Sequence, residues 1–157
     1  MISEIIKSTV TLFVILDILG LIPIYLSFFK NESKKLMDKY ANKTVIFASA
    51  IILIFLFFGS KILNFFSIPI TDFKIAGGII LIIIGIKFVL GLRVLPIGQR
   101  GKHNFAVVPF ATPLLVGPGT ITTIIILVNT YGLLIPLIAS IINIVIIWIL
   151  LMNSKNI

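Results

Sequence analysis

The chain contains no cysteine and only one histidine, His103. The first absence excludes disulfides, thiol chemistry and cysteine metal sites. The second rules out a histidine-rich metal motif, and His103 sits in a basic loop as a solvated residue, so neither a metal site nor a cofactor is expected. Charge is scarce too: charged residues make up 11% of the 157 positions, well below a soluble globular domain. No nucleotide-binding loop occurs, which argues against direct ATP drive from this chain. The paired acids of an aspartyl site and a glycine-flanked serine nucleophile are missing as well, so an enzyme is not expected.

What the chain has in excess is apolar surface. Apolar residues account for 59% of it and the mean hydropathy is +1.25. Five stretches, at about 8–29, 44–66, 73–92, 105–130 and 133–152, reach or approach the ~20 residues needed to cross a bilayer. The expected fold is therefore all-α, a polytopic transmembrane helix bundle of about five segments embedded in the lipid bilayer. We read residues 1–157 as a single transmembrane domain, with a first half at 1–92, a loop at 93–104 and a second half at 105–157. The first stretch is too long for a signal peptide, carries Asp17 and lacks a small-residue cleavage site after Lys30, so it is expected to stay as a helix.

Most of the net charge of +8 comes from basic residues placed between the apolar stretches. Lys30, Lys34, Lys35, Lys39 and Lys43 fall between the first two, opposed there only by Glu32 and Asp38, and Arg93, Arg100 and Lys102 between the third and fourth. Short loops of this kind do not make a nucleic-acid surface, so no nucleic acid is expected. By the positive-inside rule, loops 30–43 and 93–104 are cytoplasmic and the N-terminus lies outside, in a multi-pass protein of the cell membrane.

Two glycine and proline clusters interrupt the apolar runs. Asp17 is followed by Gly20 and Pro23 in segment one, and Pro109, Pro113, Gly117, Pro118 and Gly119 crowd segment four. Pro23 lacks an N–H and clashes with the carbonyl of Leu19, so segment one is expected to loosen over Gly20 to Pro23. Segment four is expected to break at Gly117-Pro118-Gly119 into two pieces, each too short to span ~30 Å of hydrocarbon, either as half-helices meeting near the middle or as a re-entrant limb and a helix. Thr71 or Asp72 is expected to cap segment three, and Ala76, Gly77, Gly78 and Gly85 within it offer small patches for close helix approach. An interrupted helix opening each half suggests an incomplete 3+3 inverted repeat with a site at its interface.

Asp17, counted as near the bilayer midplane, and the broken fourth segment form the candidate solute site. A half-helix starting at Gly119 or Thr120 would point its N–H groups and positive dipole end into the gap, suited to an anionic group. Thr120, Thr122 and Thr123 add hydroxyls, and Gly117 and Gly119 let the backbone come close to a solute. Asp17 could accept a cationic group or carry a coupling proton or sodium ion. Gly20, Pro23 and Pro113 complete the set. Plainer readings stand beside these: a protonated Asp17 bonded to a neighbouring helix, a simple kink at Pro118, threonines bonded to their own helix, and Asn143 as a bond between helices.

The stretches Asp17 to Ser27 (DILGLIPIYLS), Phe73 to Leu81 (FKIAGGIIL) and Ala106 to Leu127 (AVVPFATPLLVGPGTITTIIIL) resemble the MarC family of integral membrane proteins. The resemblance implies a six-helix protein with an outside N-terminus, grouped with LysE-type amino-acid exporters and linked to movement of small neutral amino acids. Ile18 stands where the family pattern has proline and Leu21 where it has asparagine; the loop before segment four is shorter and lacks an acidic run. The chain also ends where a sixth helix is expected, which points to a truncated product or to a form completed as a homo-oligomer.

The expected function is a secondary transporter of a small polar solute, with small neutral amino acids implied by the resemblance, coupled to protons or sodium. The alternatives are a non-transporting membrane scaffold or assembly subunit, and an inactive truncated family member.

Overall fold

The computed structural model describes residues 1–17, 20, 22, 23, 25, 26, 29, 32–90 and 116–154. Five helices run through them: α1 (Ile2–Ile15), α2 (Lys34–Phe65), α3 (Ile70–Val89), α4 (Pro118–Tyr131) and α5 (Leu134–Asn153). There is no strand among the described residues. The helices α2 and α5 are long and apolar enough to cross a membrane, whereas α4 is apolar but shorter.

The expected boundaries hold for α5 and move elsewhere. The basic stretch at 30–43 is not all loop, because α2 already begins at Lys34. Ser33 caps it, its hydroxyl accepting from the Leu36 N–H at 3.4 Å. Those first turns are helical because Met37, Tyr40, Ala41, Thr44 and Val45 recur at helical spacing and are buried, while Lys34, Lys35, Lys39 and Lys43 face outward. Tyr25 and Phe29 anchor this end, with the Tyr25 hydroxyl donating to the Met37 carbonyl at 2.6 Å and the Phe29 ring packed at a tilt against both Tyr25 and Tyr40.

Segment one breaks earlier than expected. The helix α1 ends at Ile15, Leu16 closes it, and Asp17 turns left-handed with φ 44°. Gly20, Ile22 and Pro23 are helical again. The break sits at Asp17 because its carboxylate can cap the following turn: Oδ1 accepts from the Gly20 N–H at 3.3 Å. Such a new helical start also tolerates Pro23 near its beginning better than a helix interior would.

The end of α2 has the same left-handed device in complete form. Ser67 has φ 53°, its N–H donates to Asn64 and the Ile68 N–H donates back to Leu63 at 2.9 Å, the two bonds of a Schellman ending. The helix α3 then starts at Ile70, just after Pro69, whose carbonyl accepts from Asp72 and Phe73. Thr71 and Asp72 therefore lie inside its first turn and do not cap it; the Thr71 hydroxyl donates to Asp72 at 3.4 Å. Starting the helix at a proline boundary leaves neither residue in the capping position.

Helix α4 is the hub, packed against α1, α2, α3 and α5. Two glycines admit it. A Cβ added at Gly59 would lie 2.5 Å from Ile125 Cγ1, and one at Gly77 would lie 2.5 Å from Thr122 Oγ1. Gly78 has nothing within 4 Å and Ala76 is exposed, so the small-residue patch of α3 narrows to Gly77. Gly85 has no described side-chain environment.

Cross-helix bonds set the directions. Asn129 Nδ2 donates to Ser60 Oγ at 2.9 Å near the C-terminal ends of α4 and α2, so these two run the same way. The turn at Gly132 and Leu133 reverses the chain, and Trp148 Nε1 donates to Asn42 Oδ1 at 2.8 Å, so α5 runs antiparallel to α2.

Candidate functional site

The fourth segment begins its helix one residue before the expected Gly119. Gly117 is the N-cap in extended backbone (φ −82°, ψ −178°), Pro118 is the first helical residue, and the Ile121 N–H makes a 3.1 Å bond to Gly117. Proline suits that position, since its N–H would have no helical partner and its fixed φ is already helical. Among the described residues no side chain caps this start. The positive end of the α4 dipole is therefore left to whatever lies beyond it.

The depth of that start follows from the packing. Pro118 lies seven residues before Ile125, so α4 begins about 10 Å further into the bundle than the contact between Ile125 and Gly59. With 14 residues the helix is about 21 Å long, short of the ~30 Å hydrocarbon layer. The helix thus starts inside the bundle and ends at its edge, as one of the two expected pieces of segment four. The other half, with Pro113, lies outside the described residues.

Gly119, Thr120, Thr122 and Thr123 are all buried on α4. Thr122 fills the space over Gly77, and neither it nor Thr120 is without a partner. The structure thus brings Gly117, Pro118, Gly119 and the three threonines together on one short helix.

Asp17 lies just past the end of α1. Its side chain is exposed and turned onto its own chain at Gly20, where a Cβ would collide with the carboxylate. Pro23 is exposed as well, and Gly20 is partly buried. Leu16 immediately precedes Asp17, Val116 immediately precedes Gly117, and both are buried in the same apolar cluster. The structure joins Asp17 with Gly20, and joins α4 with its threonines, as two groups.

Sequence comparison matches the MarC family of integral membrane proteins over residues 2–157. The chain belongs to the MarC family. Among curated relatives it is 42% identical over 118 residues to a UPF0056 membrane protein of Methanocaldococcus jannaschii, covering 71% of this chain and 58% of that one. It is 35% identical over 134 residues to the UPF0056 inner membrane protein YhgN of Escherichia coli, covering 82% and 66%. A UPF0056 membrane protein of Archaeoglobus fulgidus is 36% identical over 131 residues, covering 80% and 62%. This MarC chain spans about three fifths of the length of the curated relatives it matches. No solved structure matches it significantly. Membership in this family makes the helical bundle an integral membrane protein, and its relatives' names carry no activity.

Sequence reasoning missed a polar group outside this site. Ser8, Thr9, Thr44 and Ser140 are polar side chains whose hydroxyls are buried in the bundle, as is the Asn143 side-chain oxygen. The available signal was the pairing of Ser140 with Asn143 on one helix face, three residues apart.

Proposed function

We propose that this chain belongs to a secondary transporter of a small polar solute, with small neutral amino acids the solute class we favour and a proton or sodium gradient as the drive. The observation that carries the reading is the short α4, which begins inside the bundle at Gly117 and Pro118 without a capping side chain among the described residues. Half-helix starts of this kind suit the carboxylate of a zwitterion, and transporters recurrently build their sites from them. In this reading Gly117 and Gly119 give the solute room near the backbone, Thr120, Thr122 and Thr123 line the same helix, and Pro113 shapes the preceding turn. Asp17, beside Gly20 and Pro23, takes the ammonium group or the coupling cation. No reaction chemistry is assigned to the chain. Orientation with the N-terminus outside, assembly into a homo-oligomer and membership of the LysE-type superfamily belong to this same proposal.

One observation favours a second reading. Asp17 is exposed and engaged in capping its own chain, as a structural acid in a non-transporting scaffold or assembly subunit would be. Uptake of labelled alanine and glycine into proteoliposomes, with and without imposed proton or sodium gradients, separates the two. Gradient-driven uptake by the wild type that disappears in a folded Asp17→Asn variant supports the transporter. A folded wild type without uptake of either solute overturns the assignment for these solutes.

A further inference from the structure

Hydroxyls in membrane helices usually return to the carbonyl one turn back. Ser49 does so to Val45 at 2.7 Å and Thr130 to Ile126 at 2.8 Å. Ser8, Thr9, Thr44 and Ser140 do not. Their hydroxyl oxygens and Asn143 Oδ1 are buried with no hydrogen-bond partner among the described residues. Ser8 and Asn143 are 0% exposed, Thr44 1% and Ser140 2%.

These residues lie on three helices, with α5 packed against both α1 and α2. Asn143 Nδ2 donates to the Thr9 carbonyl at 3.1 Å, which puts Ser8 and Thr9 of α1 level with Asn143 of α5. Ser140 is one turn away on the same face. The bond between Trp148 and Asn42, with α2 antiparallel to α5, brings Thr44 to within about one helical turn of the Asn143 level.

The chemistry of the set selects its guest. Asn143 Oδ1 only accepts, while the four hydroxyls both donate and accept. A bare cation would use only the accepting half and would be buried without countercharge, which is very costly. No cluster of His, Cys, Asp and Glu able to hold a metal occurs among the described residues. Water donates two hydrogen bonds and accepts two, and it occupies polar interior sites that offer two to four partners. We propose that ordered water is bound in the seam between α1, α2 and α5, bridging Ser8, Thr9, Thr44, Ser140 and Asn143. The seam is then a wet helix interface, separate from the α4 start.

The test is the sign of a stability change together with direct labelling. Ser8→Ala, Thr44→Val and Ser140→Ala are each expected to lower the folded-to-unfolded ratio in bilayer-mimicking micelles by about 5- to 30-fold, because the water and its other partners lose a bond. Neutral or raised stability in all three overturns the proposal, since a hydroxyl with no partner has no bond to lose. X-ray radiolysis of the wild type in lipid generates hydroxyl radicals from bound water in place, and oxidation of Leu12, Ile144 or Ile147 at low dose is the expected result. Failure to label any of them overturns the proposal even where the variants fold poorly. A rise in unfolding midpoint with sodium but not choline, lost in Asn143→Leu, overturns water in favour of an ion.

Discussion

Gly77 on α3 and Thr122 on α4 meet so closely that a methyl group at position 77 would sit 2.5 Å from Thr122 Oγ1. One residue further along, Gly78 has nothing within 4 Å. Adjacent glycines therefore do different jobs, and only one admits the central helix.

Gly77→Ala is expected to destabilise the bundle by about 1–3 kcal/mol through overpacking. Gly78→Ala is expected to be neutral or to stabilise by up to about 1 kcal/mol, because alanine is the better helix former. Denaturant titration in micelles checks both. A Gly77→Ala, Thr122→Ala double variant should lose less than the sum of its single changes, since the two side chains compete for one space.

Ser67→Gly should stabilise the protein by about 1 kcal/mol. Serine holds φ 53° at the end of α2, a conformation that costs an L-residue about 1–2 kcal/mol and a glycine little. The opposite change in unfolding midpoint would mean that the Ser67 side chain contributes something its backbone conformation does not explain.

Tyr25→Phe removes one hydroxyl and leaves the packed rings in place. The lost 2.6 Å bond to the Met37 carbonyl is expected to cost about 1 kcal/mol. Hydrogen exchange of the first turns of α2 should rise in this variant and stay unchanged near Phe65.

Asp17 supports a prediction in which stability and transport separate. Asparagine tolerates left-handed backbone and caps helix starts about as well as aspartate, so Asp17→Asn should unfold within about 0.5 kcal/mol of the wild type. Asp17→Ala, which keeps the unfavourable φ and loses the cap, should cost about 1–2 kcal/mol. Under the proposed function both lose gradient-driven uptake, so a loss of uptake in the stable Asn variant cannot be blamed on unfolding.

Some of this was legible in the residues and some was not. The helix α5 follows from a long, mostly apolar run, and the start of α4 from a glycine followed by proline, since proline is favoured at the first helical position. The first turns of α2 were hidden because four lysines share them with a buried face of Met37, Tyr40, Ala41 and Thr44. Asp17 misled in a different way. An acid inside an apolar run reads as a buried group, but its backbone conformation turns it outward to hold Gly20, and the type of residue alone does not carry that conformation. The seam around Asn143 depends on which faces of α1, α2 and α5 meet, a non-local fact.

The length of α2 has a mechanical consequence. At 32 residues it is about 48 Å long, which exceeds the hydrocarbon thickness by about 18 Å. Lys34, Lys35, Lys39 and Lys43 are thus mounted on a rigid post, braced by Tyr25, Phe29 and Tyr40. Their charges are spread over about 14 Å of its length, so in a bilayer the post works as a depth gauge: sliding it inward by one turn would drag Lys43, the innermost of the four, toward the acyl chains and meet a steep electrostatic penalty.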